Sequence, residues 1–186
     1  NVLSITVDDA ANLSDAKKVV DSTNKTGGTA IDFAGGISDS FANIVAAGTG
    51  AVSTNMAAVD GKDANVNVTV SGTQANVTSA NVTDLNALLA ATTGTVTATI
   101  DGNVAQLSSV TSNASSAATN ALTIVVDDVA TAAQGAAIAD STSIATVDFS
   151  AAGVSDTFAN IVAAGTGAVS ANMATIGAQD ANVHVT

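Results

Sequence analysis

Polar and apolar residues alternate strictly in "TVTATI" (residues 95–100), and the same two-residue period returns at intervals along the chain. It marks "VLSITV" (2–7), "TAIDF" (29–33), "VNVTV" (66–70), "LTIVV" (122–126), "TVDF" (146–149) and "VHVT" (183–186). Period two is the signature of a strand with one buried face, and β-branched residues suit that surface. Between these runs lie Ala- and Leu-rich stretches with apolar residues every three or four positions. They are "NLSDAKKVVD" (12–21), "SDSFANIVAA" (38–47), "VTDLNALLAA" (82–91) and "TAAQGAAIAD" (131–140). That spacing predicts short helices with one apolar face. Asn12, Ser38, Thr131 and Ser155 stand where N-caps belong, and Asp follows in several first turns, where the helix dipole favours it.

The pattern repeats on a larger scale. "FANIVAAGTGAVS" occurs unchanged at residues 41–53 and 158–170, a spacing of 117 residues. Around it, residues 37–69 align with 154–186 without gaps, 24 of 33 positions being identical. Upstream, residues 1–23 match 120–142 at an offset of 119, so a short indel falls near 24–28. The chain therefore divides into module 1 (residues 1–117, about four strand–helix coils) and a partial module 2 (118–186). It reads as a window on a longer repeat array.

Strands fall roughly 29 residues apart, and strands alternating with short helices pair in parallel through crossovers. The expected fold class is α/β: a solenoid of parallel strands alternating with short Ala-rich helices, like that of leucine-rich repeats. The alternative is a parallel β-helix, whose coils are shorter and lack Ala-rich helices. Small residues let a helix lie close to a sheet in a thin coil. The four aromatic residues are Phe33, Phe41, Phe149 and Phe158, at matching places in both modules, and are assigned to the core.

Composition narrows the function. The 16 acidic residues are all Asp, against four Lys (Lys17, Lys18, Lys25, Lys62), giving a net charge of −12. Nucleic acid and anionic membrane surfaces are poor partners for such a chain. Absence of Cys excludes disulfides, thiolate catalysis and Cys-ligated metals. No apolar run is long enough to span a bilayer, so no transmembrane segment is expected. The single histidine, His184, replaces Asn67 of the first module and falls on an outward strand face. Lys17, Lys18 and Lys62 become Ala136, Ala137 and Gln179. With no basic residue kept between the copies, no enzyme is expected.

Calcium is the one chemical candidate, because hard cations favour clustered carboxylates and turn carbonyls. The Asp pairs at matching strand ends, Asp8–Asp9 and Asp127–Asp128, are the candidate ligands. Asp39, Asp63, Asp156 and Asp180 also recur between copies, and capping of helices and turns accounts for such residues equally well. Neither a glycine-rich calcium nonapeptide nor an EF-hand loop is present. The outward strand face carries Thr6, Asp32, Thr69, Thr97, Thr123 and Asp148, a surface for a glycan or another cell.

The stretches "LTIVVDDVATAAQGAAIADST", "DLNALLAATTGTVTATI" and "VTVSGTQANV" resemble repeat units of very large secreted proteins of cyanobacteria and other marine bacteria, of the haemolysin-like, adhesin or surface-layer type. That resemblance implies export without disulfides, an extracellular or cell-surface location, and a structural or adhesive role. The function expected is an extracellular structural repeat that builds a filament, surface layer or stalk by end-to-end self-association. The alternative is an adhesin arm that grips through its Thr/Asp face.

Overall fold

A computed structural model describes residues 4–22, 30–110, 120–141 and 144–186. Lys25, the indel near 24–28 and the module boundary at 117/118 lie outside the described residues. In chain order the first elements are β1 (Ser4–Thr6), α1 (Leu13–Ser22), β2 (Ala30–Asp32), β3 (Ile37–Ser40) and α2 (Phe41–Ile44). A hairpin of β4 (Val45–Ala46) and β5 (Ala51–Val52) follows, then α3 (Thr54–Asp60), β6 (Val68–Gln74) and α4 (Ser79–Ala91). Next come β7 (Val96–Gly102), α5 (Val104–Leu107), β8 (Ala121–Val126), α6 (Ala132–Ala139) and β9 (Ile144–Asp148). The last elements are α7 (Phe158–Ile161), a second hairpin of β10 (Val162–Ala163) and β11 (Ala168–Val169), and α8 (Ala171–Gln179).

The fold is mixed α/β. Five strands form one sheet in the order β3–β6–β7–β8–β9, parallel throughout, so the order in space is the order in the chain. Helical segments lie in every connection between these strands. β1 and β2 make a separate parallel pair. Their register, Ile5 opposite Ile31, is repeated one module later by Ile124 opposite Val147. Likewise the bridge of Ala11 to Ile37 is matched by Ala130 to Val154, and Ile37 opposite Val68 by Val154 opposite Val185.

Strand alternation builds a one-sided sheet. Val96, Ala98 and Ile100 of β7 are buried, as are Leu122, Ile124 and Val126 of β8. They join Leu85, Leu88 and Leu89 of α4 and Ala132, Ala136, Ile138 and Ala139 of α6 in one core. Thr69, Thr97 and Thr146 on the opposite face are exposed. Small side chains set the spacing. A Cβ on Gly135 would lie 2.8 Å from Ile176 and 3.3 Å from Phe149, so α6 meets α8 and β9 at glycine distance.

Asn12 and Thr131 are caps as expected: Asn12 accepts the Asp15 N–H at 2.9 Å, and Thr131 forms a reciprocal capping box with Gln134. Ser38 and Ser155 are not. Ser38 belongs to β3, and the caps of α2 and α7 are Ser40 and Thr157. The stretch expected to be helical at 38–47 gives only one turn before the hairpin. Gly48 and Gly50 hold φ of 72° and 67°, a left-handed backbone that breaks a helix and suits a tight turn. Phe33 and Phe149 fill the core, and Phe41 is buried, but Phe158 is 79% exposed.

Candidate functional site

Several residues in and beside the doubled stretch have a local task that recurs with it. Asp39 accepts three hydrogen bonds: from Leu13 N–H at 3.0 Å, Ser40 N–H at 2.8 Å and Asn43 Nδ2 at 2.8 Å. Asp156 repeats this with Ala132 at 3.1 Å, Thr157 at 2.8 Å and Asn160 at 2.7 Å. In both copies the carboxylate thus caps the first turn of the helix in the preceding strand–helix unit, α1 or α6. Burial opposes ionisation of Asp39, yet the donors outweigh it and hold its pKa below the ordinary value. Asn160 and the Thr157 N–H do the same for Asp156. Further along, Ser53 and Ser170 cap α3 and α8 by accepting from Met56 and Met173 N–H, each at 3.3 Å.

Contacts between successive units run through other carboxylates too. Asp63 accepts the Phe33 N–H at 2.8 Å and Asp180 the Phe149 N–H at 2.9 Å, both from inside the core boundary. Asp84 is wholly buried on α4, and it takes the N–H groups of Gly48 at 2.7 Å and Gly50 at 2.8 Å from the β4–β5 turn. A buried carboxylate is tolerated when it is hydrogen-bonded in this way. Sequence reasoning missed Asp84 because nothing local separates it from an exposed helical Asp; only its position among Leu85, Leu88 and Leu89 hinted at the apolar face.

The four Asp residues proposed as calcium ligands are exposed, and they do not converge. Asp8 and Asp9 follow β1, and Asp127 and Asp128 follow β8, more than a hundred residues later at the matching place. Asp128 accepts the Val104 N–H at 2.6 Å and so caps α5 of the preceding unit. The Asp101 carboxyl raises the pKa of Asp127, first by hydrogen bonding to its protonated form, then through burial and the charge of Asp101. Among the described residues, no three His, Cys, Asp or Glu side chains come together as a metal would need.

His184 is exposed, as expected, though the strand expected at 183–186 is only an isolated bridge at Val185, and its carbonyl accepts the Val154 N–H at 2.7 Å. The outward sheet face contains a column the sequence had only half revealed. Thr73, Thr99, Thr123 and Thr146 lie opposite one another on β6, β7, β8 and β9, and Thr146 Oγ1 donates to Thr123 Oγ1 at 3.2 Å. Ser38, Thr69 and Thr97 form a second row. Among the described residues, no helix is long and apolar enough to cross a membrane. The chain matches no known protein family, no curated protein and no solved structure.

Proposed function

We propose that the chain is an α/β solenoid that works as an extracellular structural repeat. Each coil hides its apolar face only against its neighbours, so length is set by the number of modules. One observation carries the reading: parallel pairing runs strictly from one unit to the next, and its register returns one module later. The cross-unit carboxylates support it, since Asp39, Asp84, Asp128 and Asp156 each satisfy amides of the unit before. An exterior location, in a filament, surface layer or stalk, is supported by the net charge of −12, the absence of Cys and the resemblance to secreted surface repeats. The test is a series of engineered arrays of one, two and three modules studied by X-ray scattering. Four coils per module at ~4.8 Å each predict growth of about 19 Å along one axis per module. Growth as an enlarging sphere overturns the reading.

A second reading, the adhesin arm, is favoured by the aligned Thr73, Thr99, Thr123 and Thr146 column. Such a face grips a glycan through regularly spaced hydroxyls. It predicts binding on a glycan array that disappears in Thr99→Ala/Thr123→Ala; an array with no hit sinks it.

A further inference from the structure

The two copies of "FANIVAAGTGAVS" share a backbone but differ in what covers them. In the first, Phe41 is 7% exposed and borders a small apolar gap together with Val77, Val82, Leu85 and Ile100 of the following units. Val68, opposite Ile37 on the sheet, is fully buried. The second copy presents the same surface uncovered: Phe158 is 79% exposed, Val169 55% and Val185 41%. Among the described residues, these and Val129 are the large apolar side chains that are exposed. The polar half of the surface is preformed as well. Gly165 and Gly167 hold φ of 73° and 69°, close to the 72° and 67° of Gly48 and Gly50. In the first copy those two glycine amides receive Asp84, and Thr83 Cγ2 lies 3.1 Å from a Cβ built on Gly50. In the second copy nothing lies within 4 Å of either glycine's Cβ position.

We infer that the Phe158–Val169–Val185 face, with the Gly165–Thr166–Gly167 turn, is a docking surface for a second copy of the unit formed by residues 70–102. This rests on the stacked-unit reading and names the partner that continues the stack. The occupant must bring an apolar helix face to cover Phe158 and one Asp to take the two glycine amides, the chemistry of Val82, Leu85 and Asp84. The chain's own first unit does not fit there. β1 and α1 are repeated by β8 and α6, and these follow β7 and α5 rather than the hairpin and α8. Stacking is therefore phased: the surface selects the unit that comes next in the module and rejects the others.

The phase can be tested with the full chain, which contains no Trp. Phe158→Trp places a single fluorescent reporter on an exposed position. A copy of residues 70–110 is then joined directly after Thr186, in phase, since Thr186 matches Thr69. The expected result is a blue-shifted emission protected from acrylamide, with amide exchange at Gly165 and Gly167 slowed at least about tenfold. Joining residues 4–36 instead leaves the reporter quenchable and the amides fast. Replacing the appended equivalent of Asp84 by Ala abolishes the amide protection. A reporter equally quenchable with and without the in-phase copy overturns the docking assignment; so does equal protection by both copies. Neither result touches the module-array series, whose growth along one axis tests the solenoid reading separately.

Discussion

Phe41 and Phe158 are the same residue in the same tetrapeptide helix, yet one is buried and the other 79% exposed. Their energetic weights must differ accordingly. Phe41→Ala removes a buried ring and leaves a cavity beside Val77 and Leu85, at a cost of about 3–4 kcal/mol, whereas Phe158→Ala changes stability by less than about 0.5 kcal/mol. Urea unfolding of the two variants measures this directly, and equal losses contradict the assignment of the first copy's ring to the core. Asp127 carries a pH dependence of its own. Hydrogen bonding to Asp101, helped by burial and by the charge of that neighbour, raises the Asp127 pKa, so protonation of Asp127 favours the folded chain at low pH. That contribution is complete below the ordinary carboxylate value and is lost as pH rises through the raised one. Asp127→Asn keeps a donor to Asp101 without a charge. The variant is expected to melt higher than the parent at pH 7 and no higher at pH 3. Melting curves that move in parallel at both pH values contradict the raised pKa of Asp127.

Elements were legible where their cause is local. Two-residue alternation over four to six positions located β6, β7, β8 and β9, and the three-to-four spacing located α1, α4 and α6. The β4–β5 and β10–β11 hairpins were hidden because "IVAAGTGAV" continues a helical run of small and apolar residues. Only the left-handed glycines reveal the turn. Ser38 and Ser155 were plausible caps, but α2 and α7 begin after Ser40 and Thr157, and the neighbouring Asp39 and Asp156 reach the first amides of α1 and α6, 26 and 24 residues away in sequence. A cap delivered from the next unit leaves no mark in a local window, and the same holds for Asp84 on the hairpin turn. For Asp39 and Asp156 the repeat itself signalled that the residue mattered; it did not signal what the carboxylate touches. Close approach between units is equally silent in sequence. Gly94 follows α4, and a Cβ there would run into the backbone carbonyls of Asn65 and Val66 in the unit before. Because backbone cannot swing aside as a side chain can, Gly94→Ala is expected to destabilise by about 2–4 kcal/mol, in contrast to the usual small gain when Gly becomes Ala at a compatible site. Differential scanning calorimetry decides the sign, and a stabilised variant refutes the close packing of β6 and β7 at this point.

At the scale of the whole molecule the dominant long-range term is repulsion. Sixteen Asp face four Lys, and the ion pairs among the described residues, Lys17–Asp21 and Lys18–Asp15, both lie on the surface of α1. Exposed pairs of this kind are worth about 0–1 kcal/mol each, so salt has little attraction to remove. It has much repulsion to screen, because carboxylates outnumber lysines four to one and each acts on those around it. Raising ionic strength shortens the screening length from about 30 Å at 0.01 M to about 3 Å at 1 M, which spans the distance between neighbouring units. The hydrogen bonds of Asp39, Asp63, Asp84 and Asp180 to backbone amides act at contact distance and are screened least. Stability is therefore expected to climb with NaCl, steeply at first and then level off near the ionic strength of seawater. Thermal melts of the chain from 0.01 to 1 M NaCl check this, with NaClO₄ alongside to separate screening from salting-out. A melting temperature that falls as salt is added means that the attractive pairs outweigh the repulsion, and it removes the physical argument for a saline exterior.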